Sequence, residues 1–228
     1  MYSGQPSVSL DAVEAKPGLR ERKKQRTHTA ISDAAITLFL EHGFNQVSVA
    51  RIAETAEVSK RTLFTYFPTK EDLVVHRLAD HETELARVVR ARPAGVDPLT
   101  AVCEHFLQGL RDRDPITGLN DHPQVRRVRR MILDAPSLVA RMDRFRAGAE
   151  RALAEALQET AGTPELTARL AAVQIVGVRW TLAEDNADRL EHGETADARY
   201  PGALADANHG FALLERGLRD LSGFADPH

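Results

Sequence analysis

Apolar residues recur along this chain at steps of three and four, the spacing of a helix face turned towards a core. Ile31, Ala34, Ala35, Leu38 and Phe39 form one such stripe, and Val49, Ile52, Ala53 and Ala56 form a second. No run alternates with the two-residue period of a strand, and no internal repeat is found. Boundary residues divide the pattern into helices. Gly43 suits a residue just past a helix end, with Phe44 closing an apolar contact beyond it. Ser59 is an N-cap type, and Pro68 disfavours helical geometry at Phe67. Thr69-Lys-Glu-Asp72 reads as a capping box with Asp in place of Glu, and Asp97-Pro98 as an N-cap followed by proline at the first helical position. Helices are expected over residues 19–42, 48–56, 60–67 and 69–90, then from Asp97 to about Asp114. A turn-rich linker spans 116–123. Further helices follow at 124–135, from Pro136 to about Thr160, from Pro164 to about Asp185, and from Tyr200-Pro201 onwards. The fold class is all-α: a three-helix head (19–70) ahead of a C-terminal helical bundle (71–228), with residues 1–18 expected as a disordered arm.

The chemistry concentrates in residues 58–73. At about 100° per residue, Leu63 and Phe67 share one helix face while Arg61 and Thr65 point the opposite way. Lys60 and Phe64 lie on one flank, Thr62 and Tyr66 on the other. A short helix anchored by two apolar residues, presenting cations, hydroxyls and aromatic edges, suits a DNA groove. With the shorter helix before it, the arrangement reads as a helix-turn-helix over about 48–67. Arg61 and Thr65 are expected to face bases. Ser48, Arg51, Thr62, Tyr66 and Lys70 are expected to hold phosphates, with Ser59, Lys60 and Phe64 at the same surface. Upstream, Leu19–Arg26 holds five basic residues and one acid. Arg22, Lys23 and Arg26 there are candidate contacts to phosphates or the minor groove.

The ordered set Ala34-Ala35, Leu38-Phe39, Gly43-Phe44, Ile52-Ala53, Val58-Ser59, Thr62-Leu63-Phe64, Tyr66-Phe67 and Lys70-Glu-Asp-Leu73 resembles the tetracycline-repressor (TetR) family of bacterial one-component regulators. The likeness covers roughly residues 20–75. Three positions depart from the family pattern. Glu57 stands where the turn usually has Gly, Phe64 where many members have Tyr, and His28 where Arg is common. The resemblance implies a repressor that binds a palindromic operator as a dimer and is released by a small molecule. Residues 129–138 and the helix after them are similar to the branch of mycofactocin-system and acyl-coenzyme-A-responsive regulators, which implies an acyl-CoA-like effector. Aromatic drugs or other xenobiotics are the alternative.

Composition narrows the rest. The 228 residues are 43% apolar and 5% aromatic, enough for a core and poor in strand formers. Cys103 is the single cysteine, so no internal disulfide exists and a reducing cytoplasm is expected. No apolar stretch has the length of a signal-peptide core or a membrane span, so no membrane partner is expected. Residues 1–70 hold 10 Lys+Arg against 7 Asp+Glu (+3); of the totals 30 and 33, the remaining 158 residues hold 20 against 26 (−6). A basic head on an acidic body is the polarity of a DNA reader carrying a sensor. No phosphate loop, nucleophile elbow or zinc-protease spacing occurs, so no enzyme activity, cofactor or metal is expected. A helical enzyme or an adaptor without DNA are the remaining readings. The pairs His76/Asp80 and His81/Glu84 read as a solvated face.

Two constellations are expected in the bundle. Leu204, Ala207, Phe211, Leu214, Leu218 and Leu221 recur at alternating steps of three and four, a seam assigned to the homodimer interface, with burial inside the subunit as the other possibility. Phe106, Leu110, Met131, Met142, Phe145 and Trp180 supply apolar bulk for an effector cavity. Arg179 and the cluster Arg126, Arg127, Arg129 and Arg130 offer cations for an anionic head group, or else form a salt-bridged face.

Overall fold

The computed structural model describes residues 19–217, with backbone alone at 19–22, 25, 77, 79 and 80. The expected arm, Leu218, Leu221 and the Arg22 side chain therefore lie outside the described residues. All regular structure described is helical. In chain order it comprises α1 (Leu19–His42), α2 (Val49–Thr55), α3 (Lys60–Tyr66), α4 (Asp72–Val75), a 3-10 turn (His76–Leu78), α5 (Ala79–Glu82) and α6 (Glu84–Ala91). The body continues with α7 (Pro98–Asp112), a second 3-10 turn (Pro115–Thr117), α8 (Pro123–Asp134), α9 (Pro136–Ala161), α10 (Glu165–Glu191) and α11 (Ala196–Gly217).

Local capping sets most of these boundaries. The Ser48 and Ser59 hydroxyls accept from the backbone N–H groups of Arg51 (3.2 Å) and Thr62 (3.0 Å). Asp97 accepts from Leu99 and Thr100, with Pro98 following it. Thr69 and Asp72 close their box in both directions: Thr69 N donates to Asp72 Oδ2 (3.0 Å) and Asp72 N to Thr69 Oγ1 (3.2 Å). Each cap satisfies amides that the first helical turn leaves without partners.

Three expected boundaries shift. The helix opened by Thr69 is interrupted at His76–Leu78 and again at Thr83. The tenth helix runs to Glu191 rather than stopping near Asp185. The last helix begins at Ala196, with Pro201 inside it. Thr195 starts that helix, its hydroxyl accepting from Ala198 N and its carbonyl from Arg199 N, so a turn forms ahead of the proline.

Two clusters of buried side chains organise the fold. The head cluster gathers Ile31, Phe39, Ile52, Leu63, Phe67 and Leu73 from α1 to α4, and also takes in Ala135 and Leu138 at the α8–α9 junction. The body cluster joins α6, α7, α9, α10 and α11 around Val102, Phe106, Leu153, Ile175 and Phe211. The turn after α7 presses on α10: Gly118 has φ +72°, and a Cβ there would collide with the Ala183 carbonyl. Buried Asn186 holds the same contact, donating to the Thr117 carbonyl (3.0 Å) while its oxygen accepts from Arg199 Nε (3.1 Å).

Candidate nucleic-acid interface

α2 ends in a tight reversal that sets the direction of α3. Val58 N donates to the Ala53 carbonyl and Glu57 N to the Glu54 carbonyl, the paired bonds of a Schellman motif. The motif requires left-handed backbone at Glu57, where φ is +53°. A side chain there costs roughly 1–2 kcal/mol. Glu57→Gly is therefore expected to stabilise the protein by about 1 kcal/mol after the glycine's extra chain entropy, raising Tm by about 2–4 °C in a thermal melt.

α3 divides as its helical wheel predicts. Leu63 and Phe67 are buried (0% and 1% exposed), while Lys60, Arg61, Phe64 and Thr65 face solvent. Thr65 Oγ1 donates to the Arg61 carbonyl (2.9 Å), which leaves its methyl as the group free to meet another surface. Thr62 is half-buried, and its hydroxyl lies 2.7 Å from Ser59 Oγ. Tyr66 is half-buried beside the His28 ring, which also stacks on Phe67 at 4.5 Å. Burial and then the nearby Lys24 charge lower the His28 pKa. On α2, exposed Arg51 donates from Nη2 to His42 Nε2 (2.8 Å), tying its guanidinium to the end of α1. Lys23 and Arg26 are exposed on α1.

Lys70 corrects an expectation. Its ammonium does not stand at the outer surface to meet a phosphate. Nζ donates to the Phe44 carbonyl (2.6 Å) and sits 4.4 Å from the Phe44 ring centroid, so it closes the end of the α1–α2 loop. Burial lowers its pKa.

A cavity of about 490 Å³ lies in the body, between the segment leaving the head and helices α8, α9 and α10. Met142, Phe145, Arg179 and Trp180 line it, as do Val74, Leu78, Val125 and Val128, which were not among the cavity candidates. The other candidates lie elsewhere. Phe106 and Leu110 are buried in the body core, with Phe106 6.0 Å from Phe211. Met131 packs against the head cluster. Residues on α8 therefore serve both sides: Val128 and Ile132 touch the cavity and also pack on the head core. Arg127 Nη2 adds a bond to the Leu40 carbonyl (2.7 Å).

The arginines of the wall already have partners. Arg126 and Arg130 bind Glu191 at 3.2 and 2.6 Å, Arg129 binds Asp188 at 2.6 Å, and Arg146 binds Glu150 at 3.2 Å. Arg179, half-buried, lies 3.4 Å from Glu84. Trp180 Nε1 donates to Glu184 (2.8 Å). Asp143, exposed on the same wall, makes no hydrogen bond or ion pair with any described residue.

The expected solvated face at His81/Glu84 is also corrected. Glu84 is 9% exposed and accepts from His81 Nδ1 (3.1 Å) and His105 Nε2 (3.2 Å) at one oxygen. Burial alone would raise the carboxyl pKa. The hydrogen bonds from His105 and His81, with the Arg179 charge, outweigh it and hold the carboxyl far below its usual range. The bond to Glu84 raises the His81 pKa. His81, Glu84 and Asp114 each bring a possible metal-ligand atom within 4.8 Å of the others.

Residues 31–76 match the model of the tetR family of bacterial regulatory proteins. The chain is 37% identical over 90 residues to the HTH-type transcriptional regulator TcmR of Streptomyces glaucescens, covering 40% of each chain. It is 32% identical over 124 residues to the HTH-type transcriptional regulator RutR of Escherichia coli K12, covering 54% of this chain and 56% of RutR. The head therefore carries the sequence pattern of the tetR family. The matches span about half the length of these relatives. The fold is shared with Salmonella enterica GusR, whose structure superposes with a TM-score of 0.54, at 17% identity, over 85% of this chain and 96% of that one. Among the described residues, no helix is long and apolar enough to cross a membrane.

Proposed function

We propose that this chain is a cytoplasmic, dimeric transcriptional repressor that binds a palindromic DNA operator and is released by a small molecule, with no catalytic step. The observation that carries the reading is α3: its inner face is locked into the head core, and its outer face offers Lys60, Arg61, Phe64 and the Thr65 methyl. Groove-bound helices read bases with side chains of this kind, and flanking hydroxyls and cations fix register on phosphates. A gel shift against DNA upstream of the chain's own gene and its neighbours tests the reading. Failure to shift any of these fragments at low salt would overturn it.

The dimer interface is reassigned within this proposal. Ala207, Phe211 and Leu214 face the subunit's own core, and Leu204 is half-buried. The large apolar side chains left uncovered on the last two helices are Leu166 (66% exposed), Leu170 (55%), Val173 (47%) and Leu213 (53%). A second copy covering this face would set the two heads at a fixed separation, as a palindrome requires.

The cavity supports an uncharged or cationic aromatic effector better than an acyl-CoA. An anionic head group would have to compete for the arginines of the wall with the carboxylates that already hold them. Trp180, Phe145 and Met142 offer an apolar bed, and Asp143 is an unengaged negative charge. The α8 helix touches both cavity and head, so a ligand that repacks it can disfavour the operator-bound arrangement. It must bind the DNA-free conformation more tightly, since equal affinity for both shifts nothing. Planar aromatic cations, acyl-CoA thioesters of several chain lengths and free fatty acids should be titrated into the protein–operator complex while DNA anisotropy is followed. Release by the aromatic cations is expected; release by the thioesters alone would overturn this effector assignment.

A further inference from the structure

Four side chains with metal-binding chemistry converge where the segment leaving the head breaks. His81 comes from α5, Glu84 from α6 and His105 from α7, and Asp114 caps the 3-10 turn that follows α7. The two imidazole nitrogens approach the same Glu84 oxygen, at 3.1 and 3.2 Å. One ligand atom each from His81, Glu84 and Asp114 lies within 4.8 Å of the others. We propose that these four residues form a binding site for a divalent transition-metal ion of the zinc, cobalt or nickel type.

The donor set fits that class. Two imidazoles and two carboxylates suit borderline divalent ions, whereas Mg²⁺ and Ca²⁺ prefer oxygen alone. Ligand bonds of about 2.0–2.2 Å place tetrahedral donors about 3.4 Å apart; both imidazoles already stand at about that distance from Glu84 Oε1, and Asp114, within 4.8 Å of His81 and Glu84, must move inwards to complete the set. The outer partners are also in place. Arg179 Nη2 holds the other Glu84 oxygen at 3.4 Å, and Asp114 Oδ1 accepts from Ile116 N at 3.0 Å, so both carboxylates are oriented before an ion arrives. Two carboxylates and one guanidinium carry −1, which attracts a divalent ion and becomes +1 once it is bound, in a site that opens on the cavity. His81 and Arg179 both line that cavity, which supplies the entry path. An ion here would fasten α5 and α6 to α7 and the following turn, removing freedom from the link between head and body.

The test uses metal-stripped full-length protein and needs no DNA, so its outcome is independent of the operator and effector readings. Co²⁺ is titrated in and followed by its visible d–d absorption, then displaced with Zn²⁺ in a calorimeter. One ion per chain is expected. His81→Ala and His105→Ala should each raise the Kd by more than about 10-fold, the smallest loss usual even for an outer partner. His209→Ala, at an exposed histidine, should leave it unchanged. Circular dichroism checks folding, and Zn²⁺ should raise the Tm of the wild type but not of His105→Ala. Absence of Co²⁺ binding, or equal affinity in the wild type and both ligand variants, overturns the proposal.

Discussion

Arg61→Ala is expected to weaken binding to the specific operator by about 1–3 kcal/mol while leaving binding to random DNA nearly unchanged. Arg61 is exposed on the helix face opposite Leu63, and no described group holds its guanidinium. Its planar donors are therefore available to the acceptor edge of a guanine, a contact of this size. Exchange of random for specific DNA separates this role from simple attraction. Anisotropy at several salt concentrations on both DNAs measures it. Equal losses on the two, with a shallower salt dependence, would assign Arg61 to phosphate instead.

The second large effect concerns assembly. Leu170→Asp combined with Val173→Asp is expected to convert a dimer to a folded monomer. Both side chains are about half exposed in the single subunit, so charge is tolerated there until a partner must cover it. Phe211→Asp should behave differently. Phe211 is 4% exposed and packs on Phe106, so a carboxylate there is buried without a partner. Loss of the ring alone costs about 3–5 kcal/mol, and the charge adds to it. Light scattering with circular dichroism distinguishes the two: lost mass with retained helicity for the double variant, lost helicity for Phe211→Asp. A double variant that remains dimeric would remove this face of α10 from the interface.

Those variants show what the sequence could and could not convey. Features settled within four residues were legible. The caps at Ser59, Thr69–Asp72 and Asp97 form as read, and α3 buries Leu63 and Phe67. Glu57 was recognisable as the residue under strain because the turn's geometry is local. Periodicity correctly located an apolar stripe on α11, but a stripe records that a helix packs, not what it packs against. Lys70 failed as an outward cation for the same reason, its partner lying 26 residues away at Phe44. Arg126, Arg129 and Arg130 form the salt-bridged face that was one of their two readings, but their partners lie 59–65 residues away at Asp188 and Glu191, distances over which spacing names no partner. The break within residues 71–91 contains no Gly or Pro to announce it. Its signal lies in tertiary neighbours: His76 meets the Phe67 ring, and Glu84 meets His105 and Arg179.

Asp72 divides its carboxylate between two helices. Oδ2 closes the turn at Thr69, and Oδ1 receives Arg141 of α9 at 2.9 Å. At neutral pH the oxygens act separately: one holds Arg141 of α9 while the other keeps the turn at Thr69 shut. Acid removes that independence. Burial would raise the carboxyl pKa, but the Thr69 and Arg141 hydrogen bonds outweigh it and lower the value below the ordinary range. The stabilisation is thus complete above the pKa of the unfolded chain and disappears as pH falls through the folded value. One proton then weakens both contacts at once, so that the turn at Thr69 and the strap to α9 lose strength together.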